Sequence, residues 1–391
     1  MKALVLTPST KNVSVQELPV PKPRDGEVLI RVHAVALNPI DSIYVVHPIA
    51  EQEHRVIGTD FAGVITAVGP DLSSSTDLRA RIGGRVAGFH QGACSTNDRP
   101  GAFAEYITAP YDLLWSVPDS MSLADASAIS MCGLTAAQGV YSRLGLPCPF
   151  DDQTRHLTNN GSDITNVLIY SASTSFGLYA AQLVQHAART SGRKIRLIGT
   201  ASPSKHDLLL EAPYSYDILV DYHDPRWVDK VKKATEGKGI DFAVDTISEG
   251  QTVYSVHDTL AANAKMAVFR GPKGGQYDPS ELRIKPIYGA VWEGLGYEIG
   301  YNGATIPANP AARVFATKFF NFLSTAAADG KVKLEPNPVR LMPGGLERIV
   351  PDGFTLLGSG LVSKRPDTSR TEDYMRPISG EKIVYRISGE T

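Results

Sequence analysis

Val167-Leu168-Ile169-Tyr170 is an apolar run that halts at small polar residues, Ser171-Ala172-Ser173-Thr174-Ser175, before Phe176-Gly177 opens a helical pattern. Phe176, Ala180, Leu183, Val184 and Ala187 then recur near a 3.6-residue period, which predicts a helix with one buried face. The turn therefore stands at a helix N-terminus, where unpaired N–H groups and the positive end of the macrodipole favour a phosphate. Of a GxGxxG turn only the packing glycine, Gly177, is in place, and Ser173, Thr174 and Ser175 bring hydroxyl donors instead. An ordinary serine-rich N-cap has the same local pattern, so the turn alone leaves both readings open.

The chain after this turn goes on alternating. Lys194–Thr200, Ile218–Asp221, Ile240–Asp245 and Lys265–Phe269 are apolar strand runs, separated by helical patterns at Asp207–Leu210, Trp227–Thr235 and Thr252–Leu260. Strand and helix in alternation predict an α/β fold, a doubly wound parallel sheet covered on both faces. A ligand in such a fold sits beyond the carboxyl ends of the strands, where the turn Ser171–Gly177 lies. Thr246 and Phe269, at the ends of the later strands, fall on the same edge.

The end of the second strand bears on cofactor choice. A carboxylate there bonds the ribose 2′-hydroxyl of NAD. Here Gly199-Thr200-Ala201-Ser202-Pro203-Ser204-Lys205-His206 offers none before Asp207. Ser202, Ser204 and Lys205 supply the hydroxyls and cation that a 2′-phosphate needs, and Tyr222 follows the third strand within reach of the adenosine. NADPH is the expected cofactor, against a solvated turn that happens to hold Ser and Lys.

Upstream the texture changes. Lys2–Leu6, Val13–Leu18, Glu27–Ala36, Phe61–Val68, Arg85–Phe89 and Phe103–Thr108 are short β-prone runs punctuated by Gly, Pro and Asp, which predict a β-rich domain. Downstream come helical patterns at Ala312–Ala328 and Gly345–Leu357 and a closing strand, Lys382–Ile387, expected to rejoin the β-rich region. The expected domains are 1–136, 137–310 and a returning segment 311–391, with substrate in the cleft between them.

These residues carry a resemblance. Asn38-Pro39-Ile40-Asp41, Gly58-Thr59-Asp60-Phe61-Ala62-Gly63, Gly83–Val86 and Gly101-Ala102-Phe103-Ala104-Glu105-Tyr106 are similar to the zinc-independent, quinone-reductase-like branch of the medium-chain dehydrogenases/reductases. Ser173-Thr174-Ser175, Ala201-Ser202-Pro203 and Ser379-Gly380-Glu381-Lys382 resemble the fungal trans-acting enoyl reductases that serve polyketide synthases and their synthetase hybrids. The resemblance spans nearly the whole chain. It implies a Rossmann-type domain beside a GroES-like catalytic domain. It also implies reduction of an α,β-unsaturated thioester on a carrier protein, with hydride going to the β-carbon.

At positions where zinc-dependent relatives place ligands, this chain has Asn38, Thr59-Asp60 and Met131-Cys132-Gly133, and its three cysteines, Cys94, Cys132 and Cys148, are far apart in sequence. No metal site is expected. Charge on the thioester oxygen then needs donors supplied by the protein. The resemblance places Ile40, Asp41, Ser42 and Ile43 by the cofactor with Ser379, and Met131, Cys132, Gly133, Leu134 and Thr135 along the pocket. Many relatives carry lysine where this chain has Ile43. Tyr44 is then the nearest side chain able to donate a proton, and Tyr44, Asp41 and Thr135 are the catalytic candidates. Tyr44 as wall packing and Thr135 bonded to its own helix are the plainer alternatives.

Arg283–Gly294 occupies the place of a sixth strand, and Tyr288 and Trp292 there suit a long apolar acyl chain or a packed core. Trans-acting enoyl reductases are generally monomers, and a monomer is expected. A net charge of −2 gives no footprint for nucleic acid. Met1–Leu6 begins a strand without a signal region, and no apolar run reaches spanning length, so a cytoplasmic enzyme without membrane contact is expected. Pro147–Asn166 and Lys364–Pro377 are expected as surface loops. Two other functions fit the same residues, a stand-alone quinone or enone reductase and an NADPH-binding homologue without reductase activity.

Overall fold

The computed structural model describes residues 1–48, 53–92, 99–151, 164–301, 304–362 and 369–388. Cys94, and residues 152–163 and 364–368 of the two expected insertions, lie outside the described residues. The chain divides into two compact units, Met1–Met131 with Trp292–Thr391, and Cys132–Val291. The first is built on β-sheets and the second on a parallel sheet with helices.

The second unit is the α/β one. Its six strands run in the order Ile218–Val220, Lys194–Thr200, Ile164–Tyr170, Ile240–Asp245, Leu260–Val268 and Ile287–Tyr288, every pairing parallel. This is the doubly wound order, and its switch point lies between Ile164–Tyr170 and Ile240–Asp245. The fifth strand starts five residues before Lys265, with a register shift after Ile240. The helix Ser175–Ser191 buries Leu178, Leu183, Val184 and Ala187 and stops at Gly192, whose φ of 64° ends the last turn. The helix Trp227–Ala234 lays Trp227 and Val231 on a core that includes Leu168, Ile198, Val253 and Met266. Burial of these side chains contributes on the order of 2 kcal/mol each.

In the first unit a seven-stranded sheet runs Val339–Leu341, Lys382–Arg386, Glu27–Ala36, Asp60–Val68, Arg85–Phe89 and Leu114–Ser116, with Tyr106–Pro110 also on Glu27–Ala36. The closing strand does rejoin the β-rich region, antiparallel to Glu27–Ala36. A smaller sheet pairs Lys2–Thr7 with Asn12–Glu17 and Arg55–Val56. The run Phe103–Thr108 enters its strand only at Tyr106, because Phe103 and Glu105 are bonded elsewhere. Phe103 C=O accepts from Leu4 N–H at 2.8 Å, and Glu105 N–H donates to Lys2 C=O at 3.0 Å. Glu105 C=O accepts from Val32 N–H at 2.9 Å, so three residues join both sheets. Gly58 is required there, since a Cβ would stand 2.2 Å from the Phe103 ring. No described helix is long and apolar enough to cross a membrane.

Candidate active site

In the second unit the turn after Ile164–Tyr170 is held from both neighbouring strands. Ser171 N–H donates to Thr200 Oγ1 at 2.9 Å, and Ala172 N–H to Thr200 C=O at 2.8 Å. On the other side the Thr246 hydroxyl faces the carbonyl oxygens of Tyr170 at 2.9 Å and Ser171 at 3.2 Å. Thr174 is the N-cap, its Oγ1 accepting from Gly177 N–H at 3.0 Å and donating to Ser171 C=O at 2.9 Å. Ser171 adopts φ 59°, a left-handed conformation that glycine takes without strain. Gly177 admits no side chain, because a Cβ would lie 2.6 Å from Ala172 C=O. Ser173, Ser175 and Phe176 are half-buried around this turn.

Phe176 meets Phe269 edge to face with ring centroids 4.2 Å apart. Gly139 packs on Phe269, and the guanidinium of Arg143 lies over its ring at 5.7 Å. Gly139 and Arg143 belong to the π-helical segment Gln138–Arg143, which sequence reasoning missed because a π turn has no composition of its own. Phe269 N–H donates to Ser248 Oγ, and Asp245 accepts from the N–H groups of Ile247 and Ser248 and from the Thr252 hydroxyl. Burial pushes the Asp245 carboxyl up to about 6.

At the end of Lys194–Thr200, Ser202 Oγ comes to 3.4 Å from Tyr222 Oη. Ser202 caps the turn Pro203–Lys205, Ser204 is exposed on it and Lys205 is half-buried. Tyr222 is exposed and stacks on His223. Tyr288 stands exposed on the edge strand against Gly271.

The first unit presents the helix Pro39–Val46. Asp41 and Ser42 are buried on it, and Ile40 and Ile43 are half-buried. Ser42 donates to Pro39 C=O or Gly358 C=O, which anchors the helix. Tyr44 is fully buried, 6.4 Å from the ring of the equally buried Trp292, and its hydroxyl accepts from Gln91 Nε2 at 3.3 Å. Gln91 was not singled out from sequence.

Beneath this helix lies a buried polar cluster. Asn38 N–H donates to Asp41 Oδ2 at 2.7 Å, and Asn38 Nδ2 donates to Thr59 Oγ1 at 2.8 Å and Asp60 Oδ2 at 2.9 Å. Burial raises the Asp41 carboxyl to about 7, against the pull of Asn38 N–H and the Thr59 hydroxyl. The neighbouring His90 is driven down to about 3 by burial, helped by Arg99, and its ring is neutral. Lys382 also enters this cluster, its Nζ donating to Asn38 Oδ1. Among the described residues no three His, Cys, Asp or Glu side chains are grouped to hold a metal ion.

In the helix Ser130–Ala137 the half-buried positions are Met131, Cys132 and Thr135, which fall on one face, while Gly133 and Leu134 are buried. Ser379 is exposed just before the closing strand.

A model of the alcohol dehydrogenase GroES-like domain matches residues 24–119. The whole chain is 32% identical to trans-enoyl reductase ACTTS2 of Alternaria alternata, over 99% of this chain and 98% of that one. The chain belongs to the trans-enoyl reductases. A second member, trans-enoyl reductase thnE of Trichoderma harzianum, is 30% identical over 95% of this chain and 92% of its own length. Two solved structures share the fold end to end. An alcohol dehydrogenase superfamily protein from Novosphingobium aromaticivorans has a TM-score of 0.72 at 21% identity, covering 99% of this chain and 100% of its own. The CurK enoyl reductase has a TM-score of 0.69 at 17% identity, covering 99% of each chain. This trans-enoyl reductase family member is an oxidoreductase with the role of an enoyl reductase.

Proposed function

We propose that the enzyme uses NADPH to saturate the α,β double bond of a polyketide thioester carried on the acyl carrier protein of a polyketide synthase, acting as a cytoplasmic monomer. Kinship over the full length supports the reaction class. The end of the second strand carries the cofactor choice: Ser202 and Tyr222 hydroxyls converge there with Lys205 nearby, and the first carboxylate beyond the strand is Asp207, on the helix His206–Leu210. Ser202, Ser204, Lys205 and Tyr222 would hold the 2′-phosphate.

The tight turn fits a pyrophosphate, since Gly177 leaves no side chain at the first helical turn and Thr174 caps it. Ser173, Thr174, Ser175 and Phe176 would surround that group, with Thr246 and Phe269 on the same strand ends. Ile40, Asp41, Ser42, Ile43 and Ser379 complete the proposed cofactor contacts. Bound NADPH supplies a hydride for the β-carbon.

The chain's own residues handle the oxygen and the proton. Thr135 donates to the thioester oxygen as it gains charge. Tyr44 Oη holds the proton destined for the α-carbon, with the Gln91 amide fixing the hydroxyl's orientation. Asp41 Oδ2 pins the first turn of the helix that presents Tyr44. Met131, Cys132, Gly133, Leu134, Tyr288 and Trp292 line the acyl pocket.

The test is NADPH and NADH oxidation with α-methyl enoyl thioesters on pantetheine and on carrier protein, beside free enones and quinones. Turnover confined to quinones identifies a quinone reductase, and NADPH binding with no turnover identifies a non-catalytic homologue. Tyr44→Phe at the wild-type rate removes Tyr44 as the donor.

A further inference from the structure

Two strands and two helix starts of the first unit converge on a buried group that the reaction above does not use, the ammonium of Lys382. Lys382 opens the strand Lys382–Arg386 and is 3% exposed. Its Nζ donates to Asn38 Oδ1 and stands 3.3 Å from Asp60 Oδ2. Asp60 opens the strand Asp60–Val68 and has no solvent exposure. Its Oδ2 accepts from Asn38 Nδ2, while its Oδ1 accepts at 2.8 Å from the N–H of Met131, the second residue of the helix Ser130–Ala137. Asn38 caps the helix Pro39–Val46 and through its own N–H holds Asp41 Oδ2, which also accepts from the Thr59 hydroxyl at 3.2 Å.

One cation thus serves two fully buried carboxylates. Burial drives both carboxyls upward and the ammonium draws both back, with the closer contact at Asp60. The cluster is neutral overall when Asp60 is ionised and Asp41 keeps a proton. Of the other titratable groups nearby, Glu381 beside Lys382 is paired with Arg340 of the strand Val339–Leu341 and with Arg376. His90, after the strand Arg85–Phe89 that pairs with Asp60, is neutral. Asp125 of the helix Leu123–Ser127 is bonded to Ser122 at the surface, and Arg386 is exposed at the far end of Lys382–Arg386.

We propose that Lys382 is a positioning residue, the internal counter-charge that fixes Asn38 and Asp60 and through them the first turns of the helices Pro39–Val46 and Ser130–Ala137. An ammonium suits this place because it has three N–H donors and no acceptor, matching the Asn38 and Asp60 oxygens. Removing it alone leaves a buried carboxylate without its cation, whereas removing both charges leaves a neutral hydrogen-bonded site.

The experiment compares the full chain with Lys382→Met, Asp60→Asn and the double variant, by thermal unfolding from pH 5 to 9 and by steady-state reduction of an enoyl thioester. Lys382→Met is expected to lose melting temperature progressively as pH rises, because ionising the orphaned Asp60 then opposes folding. Its kcat is expected to fall about tenfold or more, with the same added pH dependence. The double variant is expected to lose that pH slope and to regain most of both losses. A wild-type pH slope in Lys382→Met, or a double variant as damaged as the single one, overturns the proposal. If Lys382→Met does not fold, a folded double variant supports the proposal and an unfolded one overturns it. The kinetic arm rests on the enoyl reductase reading. A native protein inactive on every thioester refutes that reading, and the unfolding series still decides the role of Lys382.

Discussion

The hydroxyl oxygens of Thr174 and Thr246 lie 3.0 Å apart, linking the cap of the helix Ser175–Ser191 to the end of the strand Ile240–Asp245. They meet at the switch point of the sheet, where a cofactor turn must keep its shape. Thr246 therefore acts on the turn through its carbonyls. Thr246→Val keeps the branched shape and deletes the hydroxyl. A loss of about 1 kcal/mol in unfolding free energy is expected. A several-fold weaker NADPH affinity by fluorescence titration should accompany it. Unchanged affinity would show that the turn holds without this tie.

Ser171 occupies φ 59° with its backbone bonded on both sides. A left-handed residue with a Cβ costs about 1 kcal/mol or more, and glycine's extra freedom in the unfolded chain offsets part of the gain. Ser171→Gly should raise the unfolding free energy by about 0.5 kcal/mol in denaturant titration. A destabilised variant would mean that the serine side chain contributes more than the strain removes.

Lys205 is the one cation in the stretch from Ala201 to Lys205. Lys205→Ala should raise KM for NADPH about tenfold and leave KM for NADH nearly unchanged, because only the 2′-phosphate needs the charge. An equal change for both cofactors would move the phosphate site elsewhere.

Asp41 sets a pH dependence whose sign is opposite to that of a salt-bridged carboxylate. Its folded-state value, about 7, lies above the ordinary 3.8, so the folded chain binds the extra proton between these limits. Stability from this group is greatest at the acid end and declines as pH rises toward 7, by up to about 1.4 kcal/mol per pH unit. His90, held neutral at a value near 3, works in the other direction below its ordinary 6.5, so the whole-protein curve mixes both. The clean measurement is the difference between Asp41→Asn and the native chain, which should favour the variant increasingly from pH 5 to pH 7. A difference independent of pH would place Asp41 ionised throughout.

Much of the architecture could be seen in local pattern. The strand, turn and helix from Ile164 to Ser191 are encoded by neighbours three or four residues apart, and so is the helix Pro310–Asp329. The turn's chemistry was also visible, because Ser173–Ser175 and Ser202–Lys205 are contiguous. The buried polar cluster was not. Lys382 and Asn38 are 344 positions apart, and a lysine at the start of a strand ordinarily marks a solvated end. Gln91 escaped for a similar reason, since its partner Tyr44 is 47 residues away and an amide carries no period.

The pairing of Lys382–Arg386 with Glu27–Ala36 governs the order in which the chain can assemble. Every strand of the parallel sheet, through Ile287–Tyr288, leaves the ribosome before the closing strand exists. The inserted unit can therefore complete itself during synthesis, while the GroES-like unit waits with one side of Ala34–Ala36 open until Lys382–Arg386 is made. Stalled or slowly translated chains should expose that edge, and the protection of the Val35 and Leu37 amides should be the last to appear in pulse-labelled refolding.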